Sequence, residues 1–167
     1  MESREFTRLV LEAEPTLYHI SKTILKNDHD CADAVQEAVI KAFANIKSLK
    51  NEQYFKTWLC RILINECYRI CRRNKRTVSY DDYMQAAEKE QVQDSSKNYE
   101  LYAALMKLKD KHRLCVTLHY IEGFKTSEIA LMLKIPEGTV KSRLSKARSE
   151  LRILLSEEEI ENEYEVV

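Results

Sequence analysis

The chain has only two glycines, two prolines and one tryptophan in 167 residues, and no apolar run of the roughly 18 residues needed to cross a bilayer. So few chain breakers argue against collagen-like and sheet-rich folds, and the missing apolar run argues against a membrane helix. The opening stretch MESREFTRLV lacks the basic, then apolar, then small-residue order of a signal peptide, so a cytoplasmic protein is expected. Net charge is absent as well. The 27 basic residues balance the 27 acidic ones, which on average suggests no polyanionic partner.

What is present is Leu, Ala, Glu, Lys and Arg, the side chains that long helices tolerate best, so an all-α chain is expected. The charge balance conceals a partition. Residues 1–76 carry 14 basic and 10 acidic groups, 77–98 carry 2 and 5, 99–155 carry 11 and 6, and 156–167 carry 6 acidic groups with no basic one. This pattern predicts two small helical domains, an N-terminal bundle (1–76) and a C-terminal domain (99–155), joined by a polar, acidic linker (77–98) and followed by an acidic tail (156–167). In the first block the spacing predicts a short helix through Phe6 and Ala13, and a second opened by Pro15 and ending near Lys26. Asn27, Asp28 and Asp30 then cap a third that runs to about Ile46, and a long fourth spans about Tyr54 to Asn74. In the second block helices are expected at Tyr99–Leu108, Lys111–Ile121, Thr126–Leu133 and Pro136–Leu154. The last two are separated by only a few residues, which is helix-turn-helix spacing.

Five cysteines sit inside helical patterns, and Cys60, Cys67 and Cys71 share one helix face with Leu63 and Ile64. They read as reduced thiols packed in a core, because free cysteine behaves as a small hydrophobe. His19, His29, His112 and His119 are scattered. No nucleophile, phosphate loop or metal-ligand spacing accompanies them, so no catalytic residue, cofactor or metal is expected.

Three surfaces carry the functional signal. On the final helix Val140, Leu144, Ala147 and Leu151 share an inward face, while Ser142, Ser145, Lys146 and Ser149 lie opposite, flanked by Lys141, Arg148 and Arg143. Small serines between cations suit a major groove about 12 Å wide, where Lys and Arg reach phosphates and guanine edges. On the long fourth helix the outward face gathers Phe55, Trp58, Ile62 and Asn65 with Arg61, Arg69, Arg72 and Arg73. Aromatic planes among cations are what unpaired bases require, although the same aromatics would also serve by packing under a neighbouring helix. On the third helix Cys31, Val35, Ala38, Val39, Ala42, Phe43 and Ile46 form an inward stripe. Asp33, Glu37, Ile40 and Lys41, with Gln36 at the margin, form an outer patch that reads either as a protein-docking site or as an ordinary solvated face with one exposed Ile. On the residues alone, a stand-alone helix-turn-helix regulator and a helical protein-binding adaptor remain as alternatives.

Taken in order, these stretches resemble the extracytoplasmic-function (ECF) group of bacterial RNA polymerase sigma factors, over nearly the whole chain apart from the linker and tail. The resemblance implies a transcription initiation factor, not an enzyme, that binds core RNA polymerase through the β′ clamp helices and the β flap. The run from Asp30 to Glu37 matches the clamp-binding stretch, with Asp33, Gln36, Glu37, Ile40 and Lys41 as the implied contacts. The run from Phe55 to Ile62, continuing through Asn65 to Arg73, matches the segment that melts and reads the minus-10 element. It implies contacts by Phe55, Lys56, Trp58, Arg61, Asn65, Arg69, Arg72 and Arg73. Gly138 to Leu144, ending in Lys146-Ala147-Arg148, matches the minus-35 recognition helix and implies contacts by Thr139, Lys141, Ser142, Arg143, Ser145, Lys146 and Arg148. An anti-sigma partner, frequently membrane-bound, is also implied. The chain departs from the family pattern in three places. Lys134 stands where a turn glycine is common, Lys125 replaces a usual N-cap Ser so that Thr126 is expected to cap, and Lys109 replaces a helix-opening proline.

Overall fold

The structure, a computed structural model, describes residues 1–77 and 96–165, with side chains described over 1–75 and 99–156. The expected linker (77–98) thus lies largely outside the described residues, and the expected acidic tail (156–167) is described beyond Ser156 as backbone only, as far as Glu165. Every described element is helical, and the chain divides into two compact units.

The N-terminal unit is built on three helices, α1 (Ser3–Leu25), α2 (Asp28–Ala44) and α3 (Phe55–Thr77), with two short 3-10 turns between α2 and α3. Two helices were expected where α1 runs unbroken through Pro15. Its buried stripe, Phe6, Ala13, Leu17, Ile20 and Leu25, continues in helical register past the proline. The carbonyl that Pro15 leaves without an amide donor belongs to Leu11. Leu11 and Pro15 both lie on the exposed side, where water serves that carbonyl and packing of the opposite face outweighs the lost bond. Asn27 then caps α2, its Oδ1 accepting from the Asp30 amide at 2.9 Å, as its position predicted. The Asp30 carboxylate accepts in turn from Asn27 Nδ2 at 2.9 Å and from Asn74 Nδ2 at 2.8 Å, pinning the end of α3 to the start of α2.

The core between these helices takes Cys31, Ala34, Ala38 and Ala42 from α2 and Leu59, Cys60, Leu63, Ile64, Cys67 and Ile70 from α3. Small residues dominate the α2 contribution, which lets the helix backbones approach closely. The cysteines are free thiols and all but Cys71 are buried. Burial pushes the Cys67 thiol, and more moderately that of Cys31, above the ordinary range, so both remain protonated.

The C-terminal unit contains α4 (Ser96–Lys107), α5 (Asp110–Val116), a π-helical turn (Thr117–Ile121), α6 (Thr126–Leu133) and α7 (Glu137–Glu165). Its core includes Leu114, Cys115, Val116, Leu118, Phe124, Ile129, Val140, Leu144 and Ala147. Leu151, expected among them, is only half-buried. Arg113 is almost fully buried, pairs with Asp110, and donates to the carbonyls of Met106 at 2.9 Å and Leu108 at 3.4 Å. It thereby satisfies carbonyls at the end of α4 that a helix terminus leaves open. Lys109, in the place of the helix-opening proline, is the N-cap residue of α5. Gly123 has φ +74, a conformation that suits glycine, and lets the chain reverse before Phe124. One further corner departs from the L-residue norm. Lys134 has φ 54, the left-handed region that the glycine of the family pattern would occupy at no steric cost.

Replacing Lys134 by Gly relieves a penalty of about 1–2 kcal/mol and adds part of it back as unfolded-chain entropy. The expected net gain is roughly 0.5–1 kcal/mol, read as a higher urea midpoint with an unchanged slope. A lowered or unmoved midpoint would show that the strain is taken up elsewhere.

Candidate nucleic-acid and protein interfaces

On α3 the buried and exposed faces divide as the helical period requires, with Lys56, Arg61, Asn65, Arg69, Arg72 and Arg73 exposed and Trp58 half-buried. Phe55 is a correction. Expected on the outer face, it is only 2% exposed, because a 3-10 turn (Glu52–Tyr54) leads directly into the first turn of α3 and sets that ring inward. There it meets Phe6 edge-on at 5.6 Å and Trp58 at 6.1 Å, so it is not available to a base. Phe6 also meets Phe43 edge-on at 5.2 Å, which completes a file of four aromatic rings drawn from all three helices. Trp58 is the end of that file on α3. Its indole is bedded on a buried ring while part of its surface stays open, the arrangement of a rigid stacking platform.

The outer patch of α2 forms as expected around Ile40, which is 55% exposed, with Asp33 and Gln36 exposed and Glu37 and Lys41 half-buried. Phe43 does not follow its place on the inward stripe. It is 54% exposed and touches the core through Phe6 alone among the rings, which extends the apolar part of the α2 surface.

A residue that periodicity did not single out joins the two faces. Glu66 on α3 is only 5% exposed, and its carboxylate accepts from Lys41 Nζ of α2 at 2.6 Å and from Arg69 Nε at 2.7 Å. Lys41 also lies 3.8 Å from Glu37. Burial alone would raise the Glu66 carboxyl, but the hydrogen bonds and charges of Lys41 and Arg69 outweigh it and hold the group below its usual value. The signal was present in the sequence as the one carboxylate among six cations between residues 61 and 76.

In the C-terminal unit α7 presents Lys141, Ser142, Ser145, Lys146 and Arg148 on its exposed side, opposite the buried Val140, Leu144 and Ala147. Thr139 and Arg143 are half-buried. Arg143 leans on the buried Cys115 thiol, where its charge and hydrogen bond partly offset the rise caused by burial, so it stands at the margin of this surface. Pro136 was expected inside the first turn. Instead α7 begins at Glu137, and the Pro136 carbonyl accepts from the amides of Thr139 at 3.0 Å and Val140 at 3.3 Å, which makes Pro136 the residue flanking the helix.

The entry of α6 also differs from expectation. The Lys125 amide donates to Glu128 Oε2 at 2.8 Å, one half of a capping box. Thr126, expected to cap, donates through Oγ1 to Glu137 Oε1 at 2.7 Å, and Lys141 Nζ lies 3.4 Å from the same oxygen. These bonds lower the Glu137 carboxyl and tie the first turn of α6 to the first turn of α7. At the other end of the surface Arg148 Nη1 donates to the Tyr120 hydroxyl at 2.9 Å, and the Tyr120 ring packs edge-on against His119 at 4.8 Å. Tyr120 was not among the expected site residues; as an aromatic next to a histidine it gave no periodic cue. His112 Nδ1 and Glu150 Oε1, 2.9 Å apart, fix α5 to α7 behind this face.

The chain matches two family models, "Sigma-70 region 2" over residues 9–77 and "Sigma-70, region 4" over residues 99–151. It is 27% identical over 165 residues to RNA polymerase sigma factor SigV of Bacillus subtilis, covering 96% of this chain and 99% of that one. It is 30% identical over 151 residues to the ECF RNA polymerase sigma factor SigW of the same organism, covering 81% of each. Among solved structures it is similar to the sigma factor RpoE in complex with the anti-sigma factor NepR from Bartonella quintana, with a TM-score of 0.75 and 26% identity over 92% of this chain and 98% of that one.

The Glu66 pair makes stability depend on pH with a definite sign. A carboxyl held below its usual value of 4.5 contributes fully above that pH and loses its contribution as pH falls through the folded-state value. Acid titration followed by circular dichroism should therefore show helix loss on the acid side, and Glu66→Gln should flatten that dependence while lowering stability at neutral pH. An acid limb identical in both proteins would refute the assignment.

Proposed function

The chain belongs to the sigma-70 family, in its extracytoplasmic-function group, and on that premise we propose how its two units divide the work of transcription initiation. As an alternative sigma factor it is a transcription initiation factor, not an enzyme. Residues 1–76 bind core RNA polymerase and open the minus-10 region, residues 99–155 read the minus-35 element, and the work takes place in the cytoplasm. No helix among the described residues is long and apolar enough to cross a membrane.

The observation that carries this reading is the outer side of α3, where Trp58 is bedded on Phe55 beside the exposed Arg61, Asn65, Arg69, Arg72 and Arg73. A base flipped or unstacked from the duplex gains about 1–3 kcal/mol by stacking on such a ring, and the cations follow the phosphates. Opening DNA thus needs binding energy directed at the single strand rather than a reactive group. Lys56, at the first turn of the same helix, extends the basic track. The patch of Asp33, Gln36, Glu37, Ile40 and Lys41 on α2 is the surface offered to the polymerase clamp helices. On α7, Lys141, Ser142, Ser145, Lys146 and Arg148 face the major groove, with Thr139 and Arg143 at its edge. The Tyr120 hydroxyl holds Arg148 in a fixed orientation, which lowers the entropy lost when the guanidinium reaches DNA. The likeness to a sigma factor bound by NepR supports an anti-sigma partner for this chain as well.

Purified protein added to core polymerase should direct transcription from a cognate promoter in vitro; failure to bind core at all would refute the reading. Trp58→Ala should leave core binding and closed-duplex binding intact and reduce permanganate-detected promoter opening about ten-fold, the scale of one lost stacking interaction. A stand-alone helix-turn-helix regulator would show no effect of that substitution.

Binding of the holoenzyme to promoter duplex should weaken steeply with salt, and Lys146→Ala should reduce the slope of log affinity against log salt by about one. An unchanged slope would remove Lys146 from the phosphate contacts.

A further inference from the structure

The bonds around Glu66 connect two surfaces that the proposed function gives to different partners. Lys41 belongs to the α2 patch and Arg69 to the basic side of α3, and one buried carboxylate binds both, at 2.6 Å and 2.7 Å. Lys41 bridges onward to Glu37 at 3.8 Å, and Glu37 itself acts electrostatically on Arg69. The group therefore comprises two carboxylates and two cations. Arg69 is held by a hydrogen bond to Glu66 within its own helix, and the docking-side carboxylate Glu37 reaches that bond through Lys41, which it shares with Glu66. A DNA phosphate that takes Arg69 must compete with Glu66, and Glu66 can give Arg69 up only if Lys41 compensates it.

We propose that Glu37 and Glu66 restrain Arg69 in the free chain, and that docking of α2 on a basic partner surface draws Glu37 away and releases Arg69 to a phosphate of the bound DNA strand. The inference rests on the reading of α2 as the polymerase-docking helix and α3 as the strand-binding helix. The direction of the effect follows from the geometry. When a partner cation takes Glu37, Lys41 is left to Glu66 alone, so the buried carboxylate stays compensated after Arg69 departs. Without that rearrangement, moving Arg69 leaves Glu66 and Glu37 to share a single lysine, and an under-compensated buried carboxylate is costly. Glu37 and Glu66 are thus positioning residues, acting on DNA only through Arg69.

The test uses the full chain and a fluorescein-labelled oligothymidylate of about 15 nucleotides, followed by fluorescence anisotropy at low salt. Glu37 is half-exposed, so Glu37→Gln is expected to fold normally. It should tighten binding of the free chain about three-fold, the effect of losing one partly exposed ion pair. The gain should vanish in an Arg69→Met background, and Glu14→Gln, which removes an exposed carboxylate on α1, should produce no gain. With core polymerase at saturation the gain should also vanish, because docking has already occupied Glu37. A gain that persists without Arg69, or that Glu14→Gln reproduces, would reduce the effect to general charge and overturn the inference, as would a gain that survives in the holoenzyme. Arg61→Ala and Arg72→Ala separate this failure from failure of the underlying reading. If neither weakens oligonucleotide binding, α3 is not the strand-binding helix; if both do while the Glu37→Gln gain ignores Arg69, only the restraint is refuted.

Discussion

Burial of one full face of α3 is the constraint from which the rest of the N-terminal unit follows. Leu59, Cys60, Leu63, Ile64, Cys67 and Ile70 are withdrawn from solvent against α1 and α2, and their packing supplies the main driving force for assembling the three helices. Every cation on α3 must then occupy the remaining surface, because unpaired charges are not tolerated in such a core. The basic face is consequently not a separate device added to the fold. It is what remains once the core has taken its share of a helix that carries both kinds of residue. Glu66 sits where the two faces meet and is, among the described residues, the one acidic side chain drawn inside, which is why it recruits a partner from each side.

The C-terminal unit reaches a similar division by different means. Apart from α7 its helices are short, α5 spanning seven residues and α6 eight, too few to be stable in isolation. Packing around Leu114, Phe124, Ile129, Val140 and Leu144 is therefore supported by bonds at helix ends. Arg113 closes α4, Glu128 closes the start of α6, and Glu137 accepts from Thr126 so that the turn between α6 and α7 keeps its angle. These bonds are local in sequence, three to eleven residues apart. The helix proposed to face DNA, α7, is in this way oriented by its own first turn and by its neighbour.

The helical class, the helix-turn-helix spacing and the outward position of the α7 serines and lysines were legible in the sequence because helical periodicity alone decides them. So was the inward file of cysteines on α3, apart from Cys71, which is half-buried. The misreadings share a cause: each concerns a residue whose fate is set by something other than period. The local chemistry of Pro15 predicts a helix boundary, yet a continuous buried stripe overrides one missing hydrogen bond on a solvated side. Phe55 lies in the first turn, where the preceding 3-10 turn and the ring of Phe6 decide its direction. The position of Thr126 predicts a capping role, but Glu137, eleven residues on, competes for its hydroxyl. Glu66 and Tyr120 matter through partners on other elements, and no one-dimensional pattern records a contact between residues 25 or 28 positions apart.

The same contacts give the zero net charge a mechanical meaning. In each unit, acidic side chains stand beside cations of the helices proposed to face DNA: Glu66 with Arg69, and Glu137 with Lys141. A phosphate that engages either cation must displace a carboxylate already in place, at a small cost for the exposed Glu137–Lys141 pair and a larger one for Arg69, whose partner Glu66 is buried. That cost applies to any duplex, whereas the base stacking proposed for Trp58 and the groove contacts proposed for α7 are gained only where the DNA opens or fits. Paired cations thus subtract more, in proportion, from nonspecific association than from promoter binding. A chain with the same exposed cations and no neighbouring carboxylates would hold DNA more tightly and discriminate less, so neutrality here is a contribution to specificity made pair by pair.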